Sequence, residues 1–164
     1  MEKLTALTGF LRDSTVLKKA GLRINPENIH SHVTSGTPQY LGERGTDGGL
    51  SLFEHTYRAT IVFEEAAGDI RMLIALILTW LEEHDGDRER LSDSHIEWRG
   101  DPYDDVTSDL EFEMWFWERC YFGVLPGNPV DPHVPYRGVC YGLGSEEVTI
   151  FEDDNPTLTA TIDG

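Results

Sequence analysis

Residues 53–63 alternate in a strict two-residue rhythm. Phe53, His55, Tyr57, Ala59, Ile61 and Phe63 form one set, and Glu54, Thr56, Arg58, Thr60, Val62 and Glu64 form the other. A period of two puts the sets on opposite faces of a β-strand, one packed and one largely wet, as in an antiparallel sheet. Ala66, Ala67 and Gly68 break the rhythm, and Asp69 is placed to cap a helix. From there the period changes to helical spacing. Ile70, Leu73, Ile74, Ile77, Leu78 and Leu81 make a stripe, which Met72, Ala75, Leu76 and Trp80 widen nearly all the way round. Such a helix is covered on more than one side. A sheet accounts for one side; a second layer or a neighbouring subunit accounts for the other. The run is shorter than the roughly 20 apolar residues of a membrane span. Glu82, Glu83, His84 and Asp85 end it, with Gly86 as the expected C-terminal cap.

The remaining pattern is read around this pair. Residues 3–13 predict a first helix with Leu4, Leu7, Phe10 and Leu11 on one face. Residues 15–23 fit either a turn or a continuation of that helix. Asn25, Pro26, Glu27 and Asn28 signal a turn before a short strand over residues 29–34. Residues 35–49, rich in Gly, Thr and Pro, read as an exposed loop. A short strand over 95–99 carries Ile96 and Trp98 on one face. A long strand over 109–122 has Leu110, Phe112, Met114, Phe116, Cys120 and Phe122 on one side and Glu111, Glu113, Trp115, Trp117, Arg119 and Tyr121 on the other. From residue 123 the chain is dense in Pro and Gly and reads as an extended arm, with 147–152 able to add one strand. The expected fold is α+β: an antiparallel sheet with helices on one face, in the order α-β-β-α-β-β, over residues 1–122, with a C-terminal extension over 123–164.

Composition narrows the function. The chain has 164 residues, 39% of them hydrophobic, which suits one folded domain with a tail. Its formal net charge of −17 argues against a conventional nucleic-acid-binding surface. The charge is uneven. Up to Arg23 there are five basic residues (Lys3, Arg12, Lys18, Lys19, Arg23) and two acidic ones (Glu2, Asp13), a net +3, which leaves −20 for the rest. A basic end and an acidic body could attract one another between subunits; a solvated helix face explains the same residues. The 2 cysteines, Cys120 and Cys140, read as separate reduced thiols, and no secretory signal is read at the start of the chain.

Candidate chemistry is thin. Asp85, Asp87 and Glu89 alternate like the start of a calcium loop, but the sixth and twelfth places hold Arg90 and Ile96 instead of Gly and Glu. His30 and His32 share a strand face and could begin a zinc site, yet His55 belongs to another strand and no third ligand is evident. Glu111 and Glu113 share a face without any sign of a desolvated cleft. Trp115, Trp117 and Tyr121 lack the interleaved basic residues of a base-stacking surface, so a protein interface is the expected use.

The chain resembles the tail completion protein R (GpR) family of contractile-tailed bacteriophages. The resemblance runs over residues 4–122. It rests on the leading helix, on Asn25-Pro26-Glu27-Asn28-Ile29 before a strand, and on Phe53, Tyr57, Gly68, Asp69, Trp80 and Leu81 in the central strand and helix. It implies a structural virion protein without enzymatic activity or cofactor, found in the tail and neck of the virion and in host cytoplasm during assembly. It also implies a ring of copies of the chain, usually hexameric, at the head-proximal end of the tail. The partners implied are the chain itself, the tail tube and sheath proteins, and the head-tail connector, with DNA only passing through the lumen and no membrane. In such a ring Trp115, Trp117 and Tyr121 are expected at the subunit interface. Asp101, Asp104 and Asp105, or the acidic residues around 82–93, are expected to line the lumen, where negative charge prevents DNA from sticking. Two other readings stay open: a head-completion or connector adaptor of the neck, and a small ligand- or metal-binding enzyme domain.

Overall fold

A computed structural model describes residues 1–46, 48–102, 106–125 and 133–143. It is an α+β fold built on a curled antiparallel sheet. Helix α1 spans Glu2–Leu11 and a short α2 spans Ser14–Lys19, started by the Asp13 carboxylate, which accepts from the Thr15 amide at 2.7 Å. Strand β1 is Ile29–Arg44 and β2 is Leu50–Ala66. Helix α3 is Ile70–His84, β3 is Ile96–Pro102 and β4 is Ser108–Val124. A hairpin of β5 (Val134–Tyr136) and β6 (Val139–Leu143) comes last among the described residues. The sheet runs β1-β2-β4-β6-β5, and β3 also pairs with β4.

The alternation in β2 becomes burial. Tyr57, Ala59, Ile61 and Phe63 are fully enclosed, and their cross-strand partners on β4 are Phe116, Met114, Phe112 and Leu110. Leu4, Leu7 and Leu11 of α1, Leu17 of α2 and Leu73, Ile77, Trp80 and Leu81 of α3 complete this core. All its sheet residues come from one face; the opposite one is the open face. At the head of α3 the Asp69 side chain accepts from the Arg71 amide at 2.9 Å. Gly68 has a φ of +128°, and a side chain there would press on the Gly21 carbonyl and Leu22, so the turn needs glycine.

Several expectations change. The short first strand continues through the Gly/Thr/Pro segment, leaving only residues 45–49 as the turn into β2. That half of β1 is an exposed edge beyond the helices, so its residues carry no apolar rhythm. The ambiguous stretch after α1 contains α2. Gly86 does not cap α3: the helix ends at Asp85, whose carboxylate turns inward. Residues 134–143, read as part of an extended arm, form a hairpin docked on β4, with Tyr141 enclosed. Leu50, Phe122 and Tyr141 make a second small core there, joined by Leu52, Phe53, Cys120, Tyr136 and Val139. The curl is visible in one contact: the hydroxyls of Tyr40 on β1 and Tyr136 on β5 come within 3.5 Å, although these strands end opposite edges of the sheet.

Candidate functional site

The buried charged residues among those described, Asp85 and Glu118, lie where α1, the end of α3 and the edge of β4 meet. Glu118 occupies the core face of β4 and is 9% exposed. Its carboxylate accepts from the Tyr57 hydroxyl at 2.5 Å and from the Glu2 and Lys3 amides at 3.1 and 2.8 Å. The Met1 amine pairs with it at 2.9 Å. A strand carboxylate thus satisfies the first amides of α1, whose own N-terminal residue offers no side-chain cap. Burial alone would raise the Glu118 pKa; the hydrogen bonds from Tyr57, the amino terminus and the Lys3 amide outweigh it and hold the carboxyl below its ordinary range. Burial, then the bond to Glu118, pushes the Tyr57 phenol far above its ordinary value.

The Lys3 ammonium bridges this cluster to the next. It donates to Asp85 at 2.7 Å and to the Trp117 carbonyl at 2.9 Å. Arg88 reaches the other Asp85 oxygen at 3.3 Å and the Trp115 carbonyl at 3.2 Å. Asp85, a calcium-loop candidate by its spacing alone, is therefore an enclosed ion-pair centre. Nothing in this arrangement offers a nucleophile beside a base. Its chemistry is mechanical: it ties the N-terminal helix and the end of α3 to β4. The signal for Glu118 was present in the strand pattern, where it is the charged residue in the apolar set between Phe116 and Cys120. Lys3 and Asp85 carried no such signal, because both sit in ordinary polar surroundings along the chain.

The open face carries the polar set. Arg58 pairs with Glu113 and lies 3.4 Å from Glu97, and Arg99 forks onto Glu111 at 2.9 and 2.7 Å. Trp115 and Tyr121 are half-buried on this face. Tyr121 lies over Gly49, where a side chain would meet its phenol. Trp117, expected among exposed interface aromatics, is 7% exposed, because the Arg90 guanidinium stacks on its ring at 4.5 Å. Its cover comes from its own chain. Asp101 is exposed on β3, opposite Asp109 of β4. Asp104 and Asp105 lie outside the described residues.

The histidines do not converge. His30 and His32 stand on the open face of β1, opposite Val62 and Thr60, whereas His55 belongs to the other face of β2 and packs over Gly36. Among the described residues no group of three His, Cys, Asp or Glu side chains is gathered to hold a metal ion, and Cys120 and Cys140 form no disulfide. No described helix is long and apolar enough to cross a membrane.

No curated protein and no solved structure matches the chain. The family description P2 phage tail completion protein R (GpR) matches residues 1–132, which include all three helices, the central strand and β4. The chain belongs to the P2 phage tail completion protein R (GpR) family, whose members are structural proteins of the phage tail.

Proposed function

We propose that this tail completion protein works as a ring of its own copies at the head-proximal end of the tail, seated on the tail tube and offering the head connector a docking surface. The observation that carries this reading is the uncovered side of α3. Leu73, Ile77, Trp80 and Leu81 are buried, but Met72 is 43% and Leu78 50% exposed, with Ile74 and Leu76 half-covered beside them. These exposed apolar residues flank the buried stripe on either side and support a contact with another chain. The outer edge of β1 adds to it: among the described residues Ile29–Arg44 has β2 as its strand partner and none on its other side. Half-buried Trp115 and Tyr121 on the open face supply further contact area. A ring made from such unlike surfaces is head-to-tail, each copy giving one face and receiving on another.

The test is the native mass of the purified chain against that of Met72→Glu/Leu78→Glu. Both side chains are exposed, so the variant keeps its fold and its melting temperature. The wild type is expected as a closed oligomer and the variant as a monomer. A wild type that stays monomeric at high micromolar concentration, or a variant that still closes, overturns the reading.

A further inference from the structure

Where the helices pack, the sheet is four strands wide in the order β1-β2-β4-β3, each antiparallel to its neighbour. β1 and β3 bound this part of the sheet and run in opposite directions. Among the described residues neither has a strand partner on its outer side. The backbone groups that point outward can be assigned. On β4 the Trp115 and Trp117 carbonyls, taken by Arg88 and Lys3, show that odd-numbered residues face the β3 side. Their partners Glu97, Arg99 and Asp101 therefore face inward on β3, and Ile96, Trp98, Gly100 and Pro102 face outward. The same alternation carried through β2 turns Ile29, Ser31 and Val33 outward on β1, where the Arg12 guanidinium holds the Ile29 carbonyl at 2.9 Å.

The two edges fit one another. The outward residues of both lie on the core face of the sheet: Ile29, Ser31 and Val33 beside Phe63, Ile61 and Ala59, and Ile96, Trp98 and Gly100 beside Met114, Phe112 and Leu110. Two such edges brought together antiparallel form a ladder with core face continuing into core face. One register loses no hydrogen bond. With Ile29 opposite Pro102, the carbonyl already occupied by Arg12 meets the residue that has no N–H to give. Shifted two residues one way, the Gly100 amide meets that occupied carbonyl; shifted the other way, the Ser31 carbonyl meets the proline. In the favoured register Ser31 lies opposite Gly100, and half-buried Val33 lies opposite Trp98, which is 50% exposed in the single chain. On the open face exposed His30 meets exposed Asp101, an imidazole against a carboxylate. We propose, resting on the ring reading above, that β3 of one copy adds to β1 of the next in this register, so that a single antiparallel sheet runs from copy to copy. The partner of each edge is thus the other edge of an identical chain, which gives the head-to-tail contact a ring requires.

The register supplies the test. Residues 30 and 101 form a non-hydrogen-bonded pair, with Cα atoms about 4.5 Å apart, within reach of a disulfide. Within one chain β1 and β3 are three strand spacings, about 14 Å, apart, so a link between these positions joins two copies. His30→Cys/Asp101→Cys is purified, its native mass is measured, and it is oxidised mildly with oxidised glutathione. Both positions are exposed, so the fold is kept. The expected product is a ladder of linked copies reaching the closed oligomer, with a peptide joining residues 30 and 101. His30→Cys/Glu97→Cys, about 13 Å out of register along the strand, is expected to give no 30–97 peptide. A closed oligomer without the 30–101 peptide, equal linking by both variants, or a link joining residue 30 of two copies overturns the edge pairing and leaves the ring standing. A chain that stays monomeric at high micromolar concentration overturns both.

Discussion

Glu118 stands at a strand position whose neighbours on the same face, Phe116 and Cys120, are packed. It is tolerated because every part of its carboxylate is used: Tyr57 on one side and the first amides of α1 on the other. Glu118→Gln keeps the shape but removes the charge that strengthens those bonds. It should lower the unfolding free energy by about 1–3 kcal/mol, measured by urea denaturation at neutral pH. The pH dependence has a definite sign. The folded-state pKa of Glu118 is depressed, so its contribution is present above the ordinary value of 4.5 and is lost as pH falls through the folded value. The gap between wild type and Glu118→Gln should narrow on acidification below that point. A gap that stays constant into strong acid would show that the charge is not what matters. This residue was legible in principle, as a charge inside an apolar alternation. The neighbouring Lys3–Asp85 pair was not, because its members are 82 positions apart and no local pattern links them.

At the scale of elements, strong periodicity was readable and its absence was misleading. Tyr57, Ala59, Ile61 and Phe63 of β2 and Leu73, Ile77 and Leu81 of α3 are enclosed on the expected faces, since burial against a single layer imposes a period of two or 3.6, whereas Thr60 of the polar set is also enclosed and Leu78 of the helical stripe is 50% exposed. Ile77 is fully enclosed at the centre of α3, and Ile77→Ala should cost about 2–5 kcal/mol, read as a lower urea midpoint with an unchanged slope. An unchanged midpoint would place the helix elsewhere. The outer half of β1 was hidden because an exposed edge strand needs no apolar rhythm, and its Gly and Pro resemble loop residues. The β5–β6 hairpin was hidden by its Pro-rich approach and its short strands. Trp117 stands on the face that alternation assigns it, but alternation cannot tell that Arg90 from a separate turn lies over its ring.

At the scale of the molecule, the acidic excess and the two unlike sheet faces bear on how copies could surround a channel. Asp101 lies on the open face, alongside Glu97, Glu111 and Glu113. If this face borders the lumen, Asp101→Lys introduces a site that holds phosphate. Tails should then assemble normally while DNA ejection slows, with the effect fading as salt rises. Normal ejection from normally assembled tails would place Asp101 away from the channel. The position of β4 between β2 and the later strands also has a meaning in time. Leu50 pairs with Phe122 and Ala66 with Ser108, so the neighbour of β2 arrives only after α3 and β3 have been made. Pairings this distant in sequence slow folding, because loop closure precedes the contacts that repay it. During translation β1 and β2 emerge with one edge of β2 open, and α1, made before them, has its leading amides unanswered until residue 118 is added. Helix α1 is thus finished by β4, and a ribosome paused between them carries a hairpin open to the wrong partner.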